Sequence, residues 1–373
     1  MRKPAAYLFA VLLGAVIWFF FQHFKLEGVN SVKLVSKNST ADIPEDERAQ
    51  PKQGGEAALR PSNAATRAAP APGPAERPKA SSVSAALRGG LEAAEPPRSA
   101  DVIRIASFHI DYLGRTKAAR PHVLEIAARV IRKFDVVAIQ GIQADFAPVI
   151  PQLVDNVNRQ QARYDYVTDP LDTSREQGEV YCFIFDRSRV MVDRSATYTL
   201  GDPSNLLTFD PLVGWFRTVG PAADEAFTFS LVNFKADQRR IQQELDVLDD
   251  VIYEVHEDGR NEDDVILVGE FYTDDTHMGQ LGQVSGLSAA IRGQTTDVNA
   301  QFQTENILFQ RYATDEFTGR AGVLDFMREY NLTLEAAREV SLHLPVWAEF
   351  SIYEGGPHRR MAERTEGPRP YLP

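Results

Sequence analysis

The sequence predicts a layered α/β domain, two packed β-sheets with helices outside, carried behind an anchor and a tether. Three observations predict it. Apolar runs of strand length recur from residue 101 onward, a few stretches between them carry helical spacing, and no internal repeat is evident. The expected organisation is an anchor over residues 1–24, a linker over 25–100, the domain over 101–353 and a loose tail over 354–373.

Arg2 and Lys3 precede an uncharged apolar stretch, Ala5 to Phe21, which meets the lower limit of about 17 residues for a spanning helix. Trp18 and the phenylalanines after it suit an interfacial end, and the basic pair favours the cytoplasm. The run is long, ends in bulky aromatics and lacks a small-x-small cleavage site, favouring an uncleaved anchor over a removed signal peptide. The expectation is a single-pass membrane protein with its domain on the extracytoplasmic side. Residues 25–100, as in AAPAPGPAERPKASS, hold too few large apolar residues to offset the entropy of ordering, which predicts a disordered tether.

From Asp101 the pattern becomes globular. Val102 to Phe108 alternates as a strand, and Pro121 to Lys133 carries Val123, Ile126, Ala127, Val130 and Ile131 at helical spacing. Asp135 to Ile139 is a short apolar strand. Val180 to Phe185 and Val190 to Leu200 suggest a strand pair around Asp186, Arg187 and Ser188. Phe227 to Phe234 is a further strand, followed by a helix from about Arg239 to Glu254. Val265 to Val268 is a buried strand, and Leu344 to Tyr353 closes the domain. The net charge of −12 argues against a nucleic-acid coat protein, whose field would be basic, without excluding an enzyme that grips phosphate locally. Cys182, the only cysteine, sits in the apolar run VYCFIF and is expected to be a buried structural thiol.

Four segments carry chemistry-bearing residues: IRIASFHIDYLG (Ile103–Gly114), FDVVAIQGI (Phe134–Ile142), VILVGEFY (Val265–Tyr272) and SLHLPV (Ser341–Val346). In order and spacing they resemble the endonuclease/exonuclease/phosphatase superfamily, in particular its deoxyribonuclease I-like branch, over about Val102 to Ser351. The resemblance implies a four-layer sandwich of two mostly antiparallel sheets flanked by helices. It also implies a cleft where a divalent cation polarises a phosphodiester while a histidine and a carboxylate prepare water for attack.

Set beside that pattern, the reacting groups are largely substituted. The family's metal-binding Gln-Glu pair matches Gln140-Gly141, and glycine offers no ligand. His109 stands where the first motif has an asparagine. The GDFN motif matches Gly269-Glu270-Phe271-Tyr272, so Glu270 keeps the charge but extends it by roughly 1.5 Å. Tyr272 lacks the amide that orients phosphate. In Ser341-Leu342-His343 the histidine is kept, while Leu342 replaces its acidic partner. Asn233, in FSLVNFKA, matches the acid–base histidine, whose loss typically costs about 10²–10⁴ in rate.

Arg217 resembles a substrate-contacting arginine, Asn306 an asparagine near the site, and Glu244 a structural acid. Asp274, Asp275 and His277 are expected in a solvated loop rather than a rebuilt metal site. The run EVHEDGRNEDD (Glu254–Asp264) is expected to be an acidic helix end and loop, since it lacks EF-hand spacing.

The resemblance therefore implies a membrane-tethered, catalytically impaired binding module, with no cofactor and a phosphate-containing ligand or nucleic acid as partner. The alternative is an active phosphodiesterase, nuclease or phosphatase using magnesium or manganese, in which Glu270 and His343 act catalytically. Its metal would sit in a rearranged site around His109, Glu270 and His343.

Overall fold

The computed structural model describes residues 24–27, 33–36, 99–168 and 178–356. Two compact units divide the chain, Met1–Gly73 and Pro74–Pro373. In the first, strands β1 (Phe24–Glu27) and β2 (Lys33–Ser36) pair antiparallel, with Phe24 opposite Ser36. They fall within the stretch expected to lack regular structure; four residues apiece are too few to register as a strand period. The expected anchor, Ala5–Phe21, and the tail from residue 357 lie outside the described residues. Among the described residues no helix is long and apolar enough to cross a membrane.

The second unit continues with β3 (Val102–Leu113), β4 (Val136–Gln143), β5 (Tyr164–Thr168), β6 (Glu179–Asp186), β7 (Val190–Thr199) and β8 (Leu212–Thr218). Then come β9 (Thr228–Lys235), β10 (Val265–Glu270), β11 (Leu287–Ala289), β12 (Glu305–Gln310), β13 (Phe317–Val323) and β14 (Val346–Ser351). They form two six-stranded sheets, in the orders β13-β14-β3-β4-β6-β5 and β11-β12-β10-β9-β8-β7. Each sheet contains one parallel pair, β3 with β4 and β9 with β10, and is otherwise antiparallel.

Two local expectations need correction. The segments around Asp186–Ser188 are not a hairpin: β6 pairs with β4 and β5, whereas β7 pairs with β8, so the turn carries the chain between sheets. The single helix expected over Arg239–Glu254 is two, Ile241–Leu245 and Leu248–His256. Other boundaries move by a few residues, and β3 runs five residues past Phe108.

Alternation along the strands produces the layers. Val136 and Ala138 face the second sheet, packing in one cluster with Phe229, Leu231, Ile266 and Val268. Val137 and Ile139 face outward into a cluster with Val123, Ile126 and Val130 of the helix Pro121–Ile131. On the far side, Val232, Phe234 and Leu267 cluster with Leu248 and Val255 of the helix Leu248–His256. The result is helix, sheet, sheet, helix, the four-layer α/β sandwich expected. Complete burial of side chains such as Phe216, Phe229 and Phe309 contributes about 1.5–3 kcal/mol each. Cys182 is free and buried, as expected.

The parallel pairs position the site. A helical crossover returns β3 to β4, and another returns β9 to β10, so the carboxyl ends of each pair emerge together. Such ends are where α/β sheets commonly hold ligands. Gly269 allows the last step of β10: at φ +151° it lies so close to β9 that a Cβ would meet the Phe234 carbonyl oxygen at 1.7 Å.

Candidate metal centre

Four side chains converge at that end. His109 comes from β3 and Glu270 closes β10. Glu305 opens β12, directly opposite Glu270 in the ladder, and His343 lies three residues before β14. His109, Glu270 and Glu305 are buried and His343 nearly so, and one potential ligand atom from each lies within 4.8 Å of the others. Glu270 Oε2 is 2.5 Å from His109 Nδ1, and Oε1 is 3.3 Å from His343 Nδ1. Glu270 is thus paired with both imidazoles, and the Tyr272 phenol reaches it as well.

His343 is gripped by three carboxylates. Nδ1 contacts Glu305 Oε1 and approaches Glu270, while Nε2 is 3.2 Å from Asp111 Oδ1. The ring also stacks on His109, with centroids 4.3 Å apart. Burial alone lowers an imidazole pKa, but Glu305, Asp111 and Glu270 outweigh it and push His343 up to about 11. Burial likewise opposes ionisation of Asp111, yet its hydrogen bond to His343 and that ring's charge hold it well below the usual carboxylate range. Glu270 also stays low: burial is outweighed by the imidazoles of His109 and His343 and by Lys235.

The Ser341 turn fixes this geometry. Ser341 Oγ donates to the His109 carbonyl at 2.7 Å and accepts from His343 N at 2.9 Å. Leu342 N donates to Asp111 Oδ2 at 2.7 Å. Leu342 itself is exposed and offers no carboxylate. The acidic partner expected to be missing is supplied by Asp111, from a different strand.

The other expected residues divide clearly. Asn233 is fully buried between the sheets; its Nδ2 donates to the carbonyls of Ile139 and Cys182, both at 3.2 Å. Its Oδ1 accepts from Gln140 Nε2 at 2.7 Å. Asn233 therefore ties the sheets together and presents no titratable group. Asn306, next to Glu305, points away from the cluster: it accepts from the backbone N–H of Ile291 and donates to the Ile291 carbonyl. Arg217 pairs with Thr228 at the opposite end of β9, about 20 Å from the cluster by strand rise. Its guanidinium touches Met191 Sδ at 3.2 Å, so Arg217 and Asn306 are not brought into the site.

At Gly141, with φ +82°, a Cβ would lie 2.4 Å from the Ile110 carbonyl oxygen and 2.7 Å from the His109 ring. His109 thus fills the space that a side chain at 141 needs. Tyr272, at φ +52°, sits in the left-handed region favoured by Gly and Asn. Its phenol is half-buried, and burial together with the Glu270 charge keeps it protonated. Glu244 is buried and accepts from Thr208 N and Asp237 N, a structural role. Asp274 and His277 pair with each other on an exposed loop outside the cluster.

Sequence reasoning missed Asp111, Glu305 and Lys117. Lys117 donates to the Val340 carbonyl at 2.7 Å, and burial lowers its ammonium to about 8 although Asp111 pulls the other way.

The donor set tests which ion fits. Two imidazoles and two carboxylates suit zinc or manganese better than magnesium, which prefers oxygen and near-ideal octahedral geometry. An ion here must displace the His343 proton, a cost on the order of 5 kcal/mol at neutral pH from the raised pKa. An ion bound with a Kd of about 1 mM gains only about 4 kcal/mol, whereas structural zinc sites reach about 10–16 kcal/mol. His109, Glu270, Glu305 and His343 are the residues that could hold a metal ion.

The four-layer sandwich is the deoxyribonuclease I-like fold of the endonuclease/exonuclease/phosphatase class. Sequence comparison agrees. The chain is 26% identical over 264 residues to deoxyribonuclease-1-like 1 of Sus scrofa, covering 68% of this chain and 82% of that protein. It is 24% identical over 272 residues to human deoxyribonuclease gamma, covering 68% and 87%. Among solved structures, humanized D. rerio TDP2 with 14 mutations superposes with a TM-score of 0.46 at 15% identity, covering 68% of this chain and 99% of that one. No family model matches the chain.

Proposed function

We propose that this protein is a deoxyribonuclease I-like domain that binds a phosphate-bearing ligand, a nucleotide or nucleic acid, without hydrolysing it efficiently. Asn233 is the observation that carries the reading. By the sequence resemblance Asn233 stands at the family's acid–base histidine, and it is an amide, buried level with Val268 and fully engaged in joining the two sheets. The remaining matched histidine, His343, is clamped by Asp111, Glu270 and Glu305 and holds its proton to about pH 11. A general acid–base works best with a pKa near the operating pH, and His343 is far from it. The three carboxylates also repel an anionic ligand, so phosphate binding is expected to require a cation in the cluster.

A second reading, an active hydrolase with a rebuilt metal site, is favoured by the convergence of His109, Glu270, Glu305 and His343 on one buried spot. There the metal would polarise a phosphoryl oxygen, and His109, Glu270, Glu305 and His343 would hold it. Lys117 adds an amine near neutrality at the edge of the cluster.

One experiment separates the two. The chelator-treated full chain is incubated with plasmid DNA and model phosphate esters in magnesium, manganese, calcium or zinc, beside Glu270→Ala and His343→Ala. The binding reading expects turnover no higher than in the variants, with nucleotides raising the melting temperature only when manganese or zinc is present. Turnover that needs an added ion and disappears in both variants sinks it.

The same proposal includes a tether. The uncharged run Ala5–Phe21 behind Arg2 and Lys3 supports a single-pass anchor with the domain on the extracytoplasmic side. The full chain is expected to stay with membranes through an alkaline carbonate wash and to be released on deletion of residues 1–24. Equal release of both proteins rules the anchor out.

A further inference from the structure

Three large apolar side chains stand exposed along one rim of the cleft: Tyr112 at 75%, Phe302 at 63% and Leu342 at 44%. A lone exposed side chain means little, but a contiguous apolar patch marks an interaction surface. Hydrogen bonds join the three segments that carry these residues. Tyr112 follows Asp111, whose Oδ2 accepts from Leu342 N at 2.7 Å. The Leu342 carbonyl accepts from Val298 N at 2.9 Å, and Asp297, one residue earlier, bridges to His343. Buried Asp297 then holds the loop that ends in Phe302. Its Oδ1 accepts from Gln301 N at 2.6 Å and Phe302 N at 2.7 Å, and its Oδ2 accepts from Asn299 N at 3.0 Å. Phe302 is therefore presented to solvent by a fixed mount. Tyr112, at φ +49°, occupies the left-handed region that bulky residues seldom enter. Strain of this kind is found most often at ligand sites.

Two cations border the stripe. Exposed Arg338 donates from Nη2 to Asn299 Oδ1 at 2.6 Å, on the Phe302 loop. Lys117 donates to the Val340 carbonyl at 2.7 Å, two residues from Leu342. Neither makes an ion pair among the described residues. In a chain of net charge −12, unpaired cations beside bare rings make a local surface for an anion with flat faces. Leu342 is also the position where the family pattern has an acid, so the rim lacks a charge that would repel phosphate.

We infer that Tyr112, Leu342 and Phe302 form a stacking platform for unpaired bases, so that the ligand of the cleft is single-stranded nucleic acid. The inference rests on the reading that the cleft takes a nucleotide or nucleic acid. A base stacks on an exposed ring through its π-face, which every base has and which a duplex hides between neighbouring pairs. Arg338 and Lys117 meet the phosphates of the same strand, while the apolar stripe between them takes the bases.

Binding of a fluorescent oligothymidylate of about 15 nucleotides to the full chain is measured by anisotropy in MnCl₂, beside a duplex of the same length. The single strand is expected to bind about tenfold tighter than the duplex. Tyr112→Ala and Phe302→Ala should each weaken it about tenfold, with little change in melting temperature because both rings are exposed. Tyr112→Phe and Phe302→Tyr keep a ring and should bind as the unaltered chain does. If Tyr112→Ala does not fold, Phe302→Ala decides. Equal binding of duplex and single strand, or an affinity indifferent to both alanine variants, overturns the platform. Self-association that Phe302→Ala abolishes, without oligonucleotide binding, assigns the rim to a second copy and overturns it as well. Inorganic phosphate with manganese, which has no base to stack, reports on the cleft reading alone. No joint rise in melting temperature there counts against that reading, whereas a rise beside ring-independent oligonucleotide binding sinks only the platform.

Discussion

Gly141→Glu destabilises the domain by about 2–5 kcal/mol and restores no hydrolysis. The family pattern suggests the opposite, because this substitution returns the carboxylate expected at the principal metal position. The geometry decides against it. At φ +82° any non-glycine residue is strained, at about 1–2 kcal/mol for a left-handed backbone. The new Cβ also meets the Ile110 carbonyl oxygen at 2.4 Å, a backbone atom that no rotamer change moves aside. Overpacking of this kind adds about 1–3 kcal/mol. Beyond the Cβ, the chain meets the His109 ring, which already occupies the space. Urea denaturation and a plasmid-nicking assay on Gly141→Glu, alone and with His109→Asn, check the expectation. Native stability in the single variant, or metal-dependent nicking in the double, means that the cleft kept its ancestral shape and the clash argument fails.

The same case explains how far the residues alone could be followed. Strand alternation and the order of the motifs were enough for the sandwich, because inward and outward faces repeat every second residue in Val136–Ile139 and its partners. What failed was long-range placement. The segments on either side of Asp186–Ser188 have the composition of a hairpin, but which sheet β7 joins depends on its pairing with β8, far along the chain. His109, Glu270 and His343 were visible because each lies inside a motif. Asp111 lies in the same segment as His109 but matches no chemistry-bearing position of the family pattern, and its approach to His343 depends on β3 continuing to Leu113, with its pairing to β4 shifted between His109 and Leu113. Glu305 was missed by one position. Its neighbour Asn306 attracted the match, and in a strand one residue exchanges the buried site for the opposite face.

His343→Ala is expected to remove about 3–5 kcal/mol of stability from the metal-free protein, the usual cost of stripping the partner from buried charge. In the native protein its imidazolium is the internal cation for Asp111, Glu270 and Glu305. Without it, three carboxylates face one another in a buried site, relieved by His109 and Lys235 at Glu270 and by Lys117 at Asp111. The pH dependence follows from the signs. His343 has its folded pKa raised to about 11, so its contribution is complete below its unfolded value near 6.5 and is lost as pH climbs toward 11. Asp111 and Glu270 are lowered, so theirs is present above an unfolded value of about 4 and lost as pH falls through the folded one. Both conditions hold between about pH 4.5 and 6.5, where the gap between native and variant should be widest. Urea denaturation in chelator at pH 5.5, 7.5 and 9.5 measures it, and the gap should narrow steadily across the series. A gap under about 1 kcal/mol, or one that ignores pH, removes the imidazolium from its central place. The binding reading would then rest on Asn233 alone, and a metal ion, rather than a proton, would be the natural counter-charge in the cleft.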